Sequence, residues 1–307
     1  MGGITVLDSL LDWAAEKVQN FTGESDRRRL VEQFKLVHIE FQNIITEIVE
    51  KINIAIGIFN EKIDELNTYR QNKVKKNIFI LGVFLSQFGK LREVGDYADE
   101  DKHSEIDVPK KQFQQSEDFI KDIDWSKDDV FEKTFFKSIF GVRAETRKIN
   151  QETTQKIEEF KMECEEMVRL AENKNDFINQ DIMIADMYSD CVKSISNTIE
   201  EKVLPELELV QAFLQCDEIK NNLLANKEVE IKKENDITLL AGSMYDKHYQ
   251  FIKNTFMFFI ISSKIYNTQV LTNLLNDGKH DEEEKIVRGY TEILEEHQNK
   301  LEQYSMK

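Results

Sequence analysis

The side chains that could do chemistry in this chain are few, and their spacing gives them little to do. A di-iron centre in a helical bundle needs two Glu-x-x-His pairs and a further glutamate from each of two other helices. Only Glu100 and His103 have that spacing, and they lie in an acid-rich stretch. His280 precedes Asp281, Glu282, Glu283 and Glu284, oxygen ligands that could hold a divalent cation weakly. A solvated helix start accounts for the same run and is the reading adopted here. His38, His248 and His297 fall singly within helical patterns, where a histidine is ordinarily a surface or hydrogen-bonded core residue. Cys164, Cys191 and Cys216 are odd in number and far apart, which suits neither a disulfide framework nor a zinc site and fits a reducing compartment. With 11 glycines in 307 residues, the chain contains neither a Walker loop nor GxGxxG. The expectation is of no catalytic residue, no metal and no cofactor.

Binding is the remaining chemistry. Arg27, Arg28 and Arg29 sit at a helix start, where the macrodipole disfavours cations; ordinary surface placement is the reading adopted, with compensation by an acidic partner or an internal carboxylate as the alternative. Lys73, Lys75 and Lys76 form a cationic collar before the apolar run of residues 77 to 89, which is too short to span a membrane and reads first as core or helix-tip packing, with the composition of an interfacial segment as the alternative. Within that run Phe79, Leu81 and Phe84 are candidate partner or membrane contacts, and so are Phe256, Phe258 and Phe259 in the apolar hexamer FMFFII. Arg143, Arg147 and Lys148 read as a solvated face. A formal net charge of -17 repels phosphate backbones, so no nucleic acid is expected as a partner. No small-molecule ligand is identified.

The elements that carry these residues are helical. Two prolines, few glycines and a 32% charged fraction suit long uninterrupted helices, and 40% hydrophobic residues suffice for a sizeable core. Residues 5 to 21 form a short amphipathic helix that Gly23 ends. Its start has neither the basic region nor the sustained apolar run of a secretory signal, and Val6 stands where myristoylation of Gly2 wants Ser or Thr. Ser25 and Asp26 can cap a helix whose seam runs through Leu30, Phe34, Val37, Phe41, Ile44, Ile48, Ile52, Ala55, Phe59, Ile63 and Leu66 in steps of three and four. A helix over 27 to 70 would reach on the order of 65 Å. Residues 93 to 127 break the pattern with Gly95, a run of acids and Pro109, and Phe131, Phe135, Phe136, Ile139 and Phe140 follow as an aromatic cluster.

Helical periodicity resumes near Ala144 and runs to Leu170. A second stretch goes from Ile178 through Ile182, Ala185, Ile195, Ile199, Val203, Leu207 and Val210 to Leu214, with Pro205 inside it predicting a kink or two abutting helices. Another run, from Leu240 to Leu274, should end at Asp277 and Gly278. The last helix carries Ile286, Tyr290, Ile293, Leu294, His297, Leu301 and Tyr304 on one side.

The fold expected is all-α: an elongated antiparallel helical bundle with long coiled-coil-like helices. Its divisions are an N-terminal amphipathic helix over 1–24, a long helix with an apolar tip over 25–92, an acidic loop over 93–127, and a bundle region over 128–307 packing back on 25–92. Such a chain reads as a non-enzymatic cytoplasmic scaffold that binds protein, either a copy of itself or a second subunit. The alternative is an α-helical membrane-acting protein, pore-forming or membrane-remodelling in kind, peripheral to a membrane until assembly exposes 77–89 and 254–261. An enzyme would need a pocket assembled from scattered Asp, Glu, Tyr and His residues.

Overall fold

A computed structural model describes residues 24–88, 146–225, 237–268 and 280–305. The N-terminal helix over 5 to 21, the acidic loop with Glu100 and His103, the aromatic cluster, Arg143, Val270 and Leu274 lie outside the described residues. So do the side chains of Arg27, Arg28, Leu30, Phe34, Arg147 and Lys148.

The protein is all-α: nearly every described residue is helical, and no strand occurs among them. Helix α1 is Glu24–Tyr69, of 46 residues. It begins at Glu24, so Ser25 and Asp26 stand inside its first turn and not ahead of it. A wide π-helical turn, π1, covers Arg70–Val74 and leads directly into α2, Lys75–Leu85. Helix α3 is Thr146–Asn197, of 52 residues, and joins the two periodic stretches read separately in the sequence. It passes through a second wide turn, π2, Thr198–Val203, into α4, Leu204–Leu224. A 3-10 turn over Ile237–Leu240 precedes α5, Asp246–Tyr266, and α6 is His280–Tyr304. Helix α5 ends at Tyr266 with Asn267 as its cap, well before the Asp277 expected from the apolar pattern.

The chain divides into two compact units, Met1–Gly57 with Gln112–Asn179, and Ile58–Lys111 with Gln180–Lys307. In the first, Phe41, Ile45, Ile48, Val49, Ile52 and Ala55 are buried on α1, and Cys164, Ala171 and Ile178 on α3. His38 is also fully buried, with its ring centroid 6.4 Å from that of Phe41. The seam passes through Ile45, while the expected Ile44 is 40% exposed.

The second unit holds one continuous core, from Phe59 on α1 to Leu301 on α6. There α2 packs against α5 and α5 lies along α6. The two wide turns explain how the faces of both long helices stay in that core. Buried positions Leu66, Arg70, Val74 and Ile78 are four apart, and so are Ile195, Ile199, Val203 and Leu207. In an α-helix each step of four overshoots a full turn by roughly 40°, so three in succession would carry the face about 120° round, out of the core. A π turn takes up one extra residue, with the Lys75 N–H donating to the Arg70 carbonyl and the Leu204 N–H to the Ile199 carbonyl, and the face is held. Pro205, which has no N–H to give, falls in the first turn of α4 just past π2. The proline is therefore accommodated by a widened turn, with no helix end and no loop between α3 and α4.

The two π turns are neighbours. Lys73 on π1 pairs with Glu200 on π2 at 3.0 Å, and the Asn77 amide donates to Ser196 Oγ at 2.8 Å. The ion pair is half exposed and contributes little. The buried Asn77–Ser196 bond matters more, since either polar group alone in the core would cost about 1–3 kcal/mol.

One consequence is testable by deletion. Removing Asn72, an exposed residue of π1, restores alternating steps of three and four and leaves α2 facing the core. Removing Glu61, equally exposed but within α1, rotates everything beyond it by roughly 100°. By circular dichroism, the Asn72 deletion should lower Tm by less than about 5 °C and the Glu61 deletion by more than about 10 °C; equal losses would contradict the role given to π1.

Candidate functional site

The second unit buries ionisable side chains at three places. At the first, Arg70 occupies the core position four residues past Leu66 and is 2% exposed. Its guanidinium lies over the Tyr266 ring at 4.9 Å and the Tyr188 ring at 5.9 Å, and Nη2 donates to the Tyr266 carbonyl at 2.7 Å. Desolvation of that charge is offset by two aromatic faces and a carbonyl. The Tyr188 hydroxyl donates to the Ile265 carbonyl at 2.9 Å, and burial pushes its pKa up to about 12 against the opposing pull of Arg70.

At the second place, His280 Nδ1 lies 2.6 Å from Asp181 Oδ1, with both side chains buried. Glu283, one turn along α6, is 1% exposed. The reading of His280 to Glu284 as a solvated helix start is thus corrected for its two inward members. His280, Glu283, Val287, Leu294 and Leu301 share the buried face of α6, and the expected Ile286 and Ile293 are exposed. The cause is visible in the spacing, because 280, 283 and 287 continue the steps of three and four back from Leu294 with polar residue types at the first two positions.

The third place is a cavity of about 290 Å³ lined by Glu201, Lys202, Pro205, Glu206, Phe251, Leu301, Glu302 and Ser305. Glu206 is 3% exposed and accepts a hydrogen bond from Ser305 Oγ at 3.2 Å. Lys202 pairs with Glu302 at the rim. His248, one turn before Phe251 on α5, rests against Phe213 at 5.2 Å. Burial holds its imidazole pKa below the ordinary value, outweighing the upward pull of Glu206, and Lys247 lowers it further.

The residues singled out from sequence are dispersed among different settings. Arg29 is exposed. Lys73 is engaged by Glu200 and lies 5.9 Å from the Tyr69 ring, Lys75 is half-buried, and Lys76 is exposed. Leu81, Phe258 and Phe259 are core residues, while Phe79, Phe84 and Phe256 are half-buried. Among the described residues no group of three or more His, Cys, Asp or Glu side chains is placed to hold a metal ion. No helix among them is long and apolar enough to cross a membrane.

Open apolar side chains form the other candidate surface. In the first unit, Leu36 and Ile54 are each 57% exposed and Ile39 and Ile44 are also open, all on α1. On α3, Met162 is 65% exposed and Leu170 53%, and Phe177 is open as well.

The chain matches no family model, no curated protein and no solved structure.

The buried ionic residues Arg70, Asp181 and Glu206 were missed because sequence reading ranks apolar types. Their one signal was position: Arg70 follows Leu66 by four, Asp181 follows Ile178 by three, and Glu206 follows Val203 by three.

The three thiols separate cleanly. Cys164 and Cys191 are buried and Cys216 is exposed. Cys191 Sγ lies 3.1 Å from Thr291 Oγ1, and burial raises its pKa, which the Thr291 contact only partly opposes. One thiol should therefore react with Ellman's reagent in the native protein and all three in denaturant; rapid labelling of Cys191 in the native protein would contradict the packing described.

Proposed function

We propose that this protein is a non-enzymatic helical scaffold that self-assembles, joining a second copy of itself through the open apolar side chains of its first unit. One observation carries the reading: seven large apolar residues, four on α1 and three on α3, remain in water although each helix already buries a separate apolar seam. Isolated exposed leucines are ordinary in monomers and the second unit has open apolar side chains too, but their recurrence along both helices of the first unit suits a protein contact. Exposed charges such as Glu40, Glu47, Glu50 and Lys51 are interspersed on α1, which suits side-by-side, antiparallel pairing of long helices with register set by charge.

The burial of Leu81, Phe258 and Phe259 supports this reading over the membrane-acting one. Those side chains would have to leave a core they fill.

Net charge of -17 on each copy opposes association, so added salt should strengthen it by screening while leaving the apolar contact intact. Sedimentation over a range of protein concentrations should show a dimer or larger species, more abundant at high salt. The triple variant Leu36→Asp, Ile54→Asp, Leu170→Asp should sediment as a monomer with unchanged helicity. A wild-type chain that stays monomeric at every concentration and salt level would overturn the proposal.

A further inference from the structure

We infer that the outward face of α4 is a docking surface for a basic amphipathic helix of a second protein. Leu209, Ala212, Cys216, Ile219 and Leu223 are all exposed and follow one another in steps of three, four, three and four. At roughly 100° per residue, those steps hold the five side chains in one stripe about 21 Å long. The stripe runs along the side of α4 turned away from the buried Leu207 and Val210. This is the pattern of a coiled-coil seam, presented to water. It is not the overflow of a core. Beyond Leu214 no residue of α4 belongs to the core of its unit, yet the helix continues to Leu224. A helical end this short, with nothing buried, is marginal in water, so a partner that covers the stripe also stabilises the element that carries it.

Charge selects the partner. Outside the core, α4 carries Glu208, Asp217 and Glu218 against Lys220 alone, on a chain whose net charge is -17. A second copy of this chain would set acid against acid here, and an acidic border is a poor match for anionic lipid. A helix with leucines in the same three-four spacing and lysines or arginines beside them meets both the stripe and its border. The face is independent of the one assigned to self-association, because it lies in the second unit and answers to salt in the opposite sense. Screening favours contact between two like-charged copies and weakens contact between an acidic face and a basic helix.

The test uses the full chain and a dye-labelled synthetic peptide of about 18 residues, leucine at alternating steps of three and four and lysine elsewhere. Fluorescence anisotropy should show saturable binding that falls as salt is added, and bound peptide should slow the reaction of Cys216, the exposed thiol within the stripe, with Ellman's reagent. The double variant Leu209→Ser, Leu223→Ser alters only exposed positions and should weaken binding by about tenfold or more. Leu36→Ser with Ile54→Ser, in the first unit, should leave it unchanged. A peptide of the same composition in scrambled order, which has the charge without the apolar face, should bind far more weakly. Equal binding of the scrambled peptide, undiminished binding by the folded α4 variant, or unslowed labelling of Cys216 would overturn the proposal. So would adsorption to phosphatidylcholine vesicles that the α4 variant abolishes, since the face would then belong to a membrane.

Discussion

A helix can contribute to a core only while its apolar face keeps pointing at that core, and both long helices of this protein contain one residue too many for an ordinary α-helix to do so. The paired wide turns over Arg70–Val74 and Thr198–Val203 resolve the conflict. Without them, Ile78, Leu81 and Leu85 on one helix, and Leu207 and Val210 on the other, would rotate off the seam that begins at Phe59 and Ile184. Because α2 packs on α5 and α5 on α6, the placement of these helices depends on that local widening. The turns also touch each other through Lys73 and Glu200, so two departures from α geometry occur side by side. The Asn77–Ser196 hydrogen bond beside them specifies the pairing, since sliding either helix would leave a buried amide or hydroxyl without its partner.

Polar residues in the core follow the same logic. Arg70 is held between Tyr188 and Tyr266, and His280 meets Asp181 where α6 begins. Buried polar contacts of this kind add little net stability compared with well-packed hydrophobic residues, yet breaking one by removing a single partner is costly. Their effect is to make one arrangement of α1, α3, α5 and α6 far better than its neighbours.

Much of the helical content was legible in the sequence because apolar residues recur every three or four positions over long spans. Phe41, Ile48, Ile52, Ala55, Phe59, Ile63 and Leu66 were read correctly as one buried face. The errors share a cause. Ile44 and Ile45, and Ile286 and Val287, are adjacent apolar pairs in which residue type does not decide the phase, and the buried members are Ile45 and Val287. The seam of α1 seemed to stop at Leu66 only because the next core position is arginine. The wide turns leave a readable trace, three successive steps of four at Ile195, Ile199, Val203 and Leu207, which ordinary alternation with a kink at Pro205 does not produce. The cavity left none, because Glu206, Phe251 and Leu301 are far apart in the chain and are brought together only by packing.

The central claim is that each long helix widens by one residue so that its face remains in the core. Nuclear Overhauser contacts across the two turns test this most directly, through the Hα of Arg70 and the amide proton of Lys75, and the Hα of Ile199 and the amide proton of Leu204. The account predicts i to i+5 contacts at both places, flanked by the i to i+4 pattern of ordinary α-helix. An unbroken i to i+4 pattern from Leu66 to Ile78 and from Ile195 to Leu207 would contradict it.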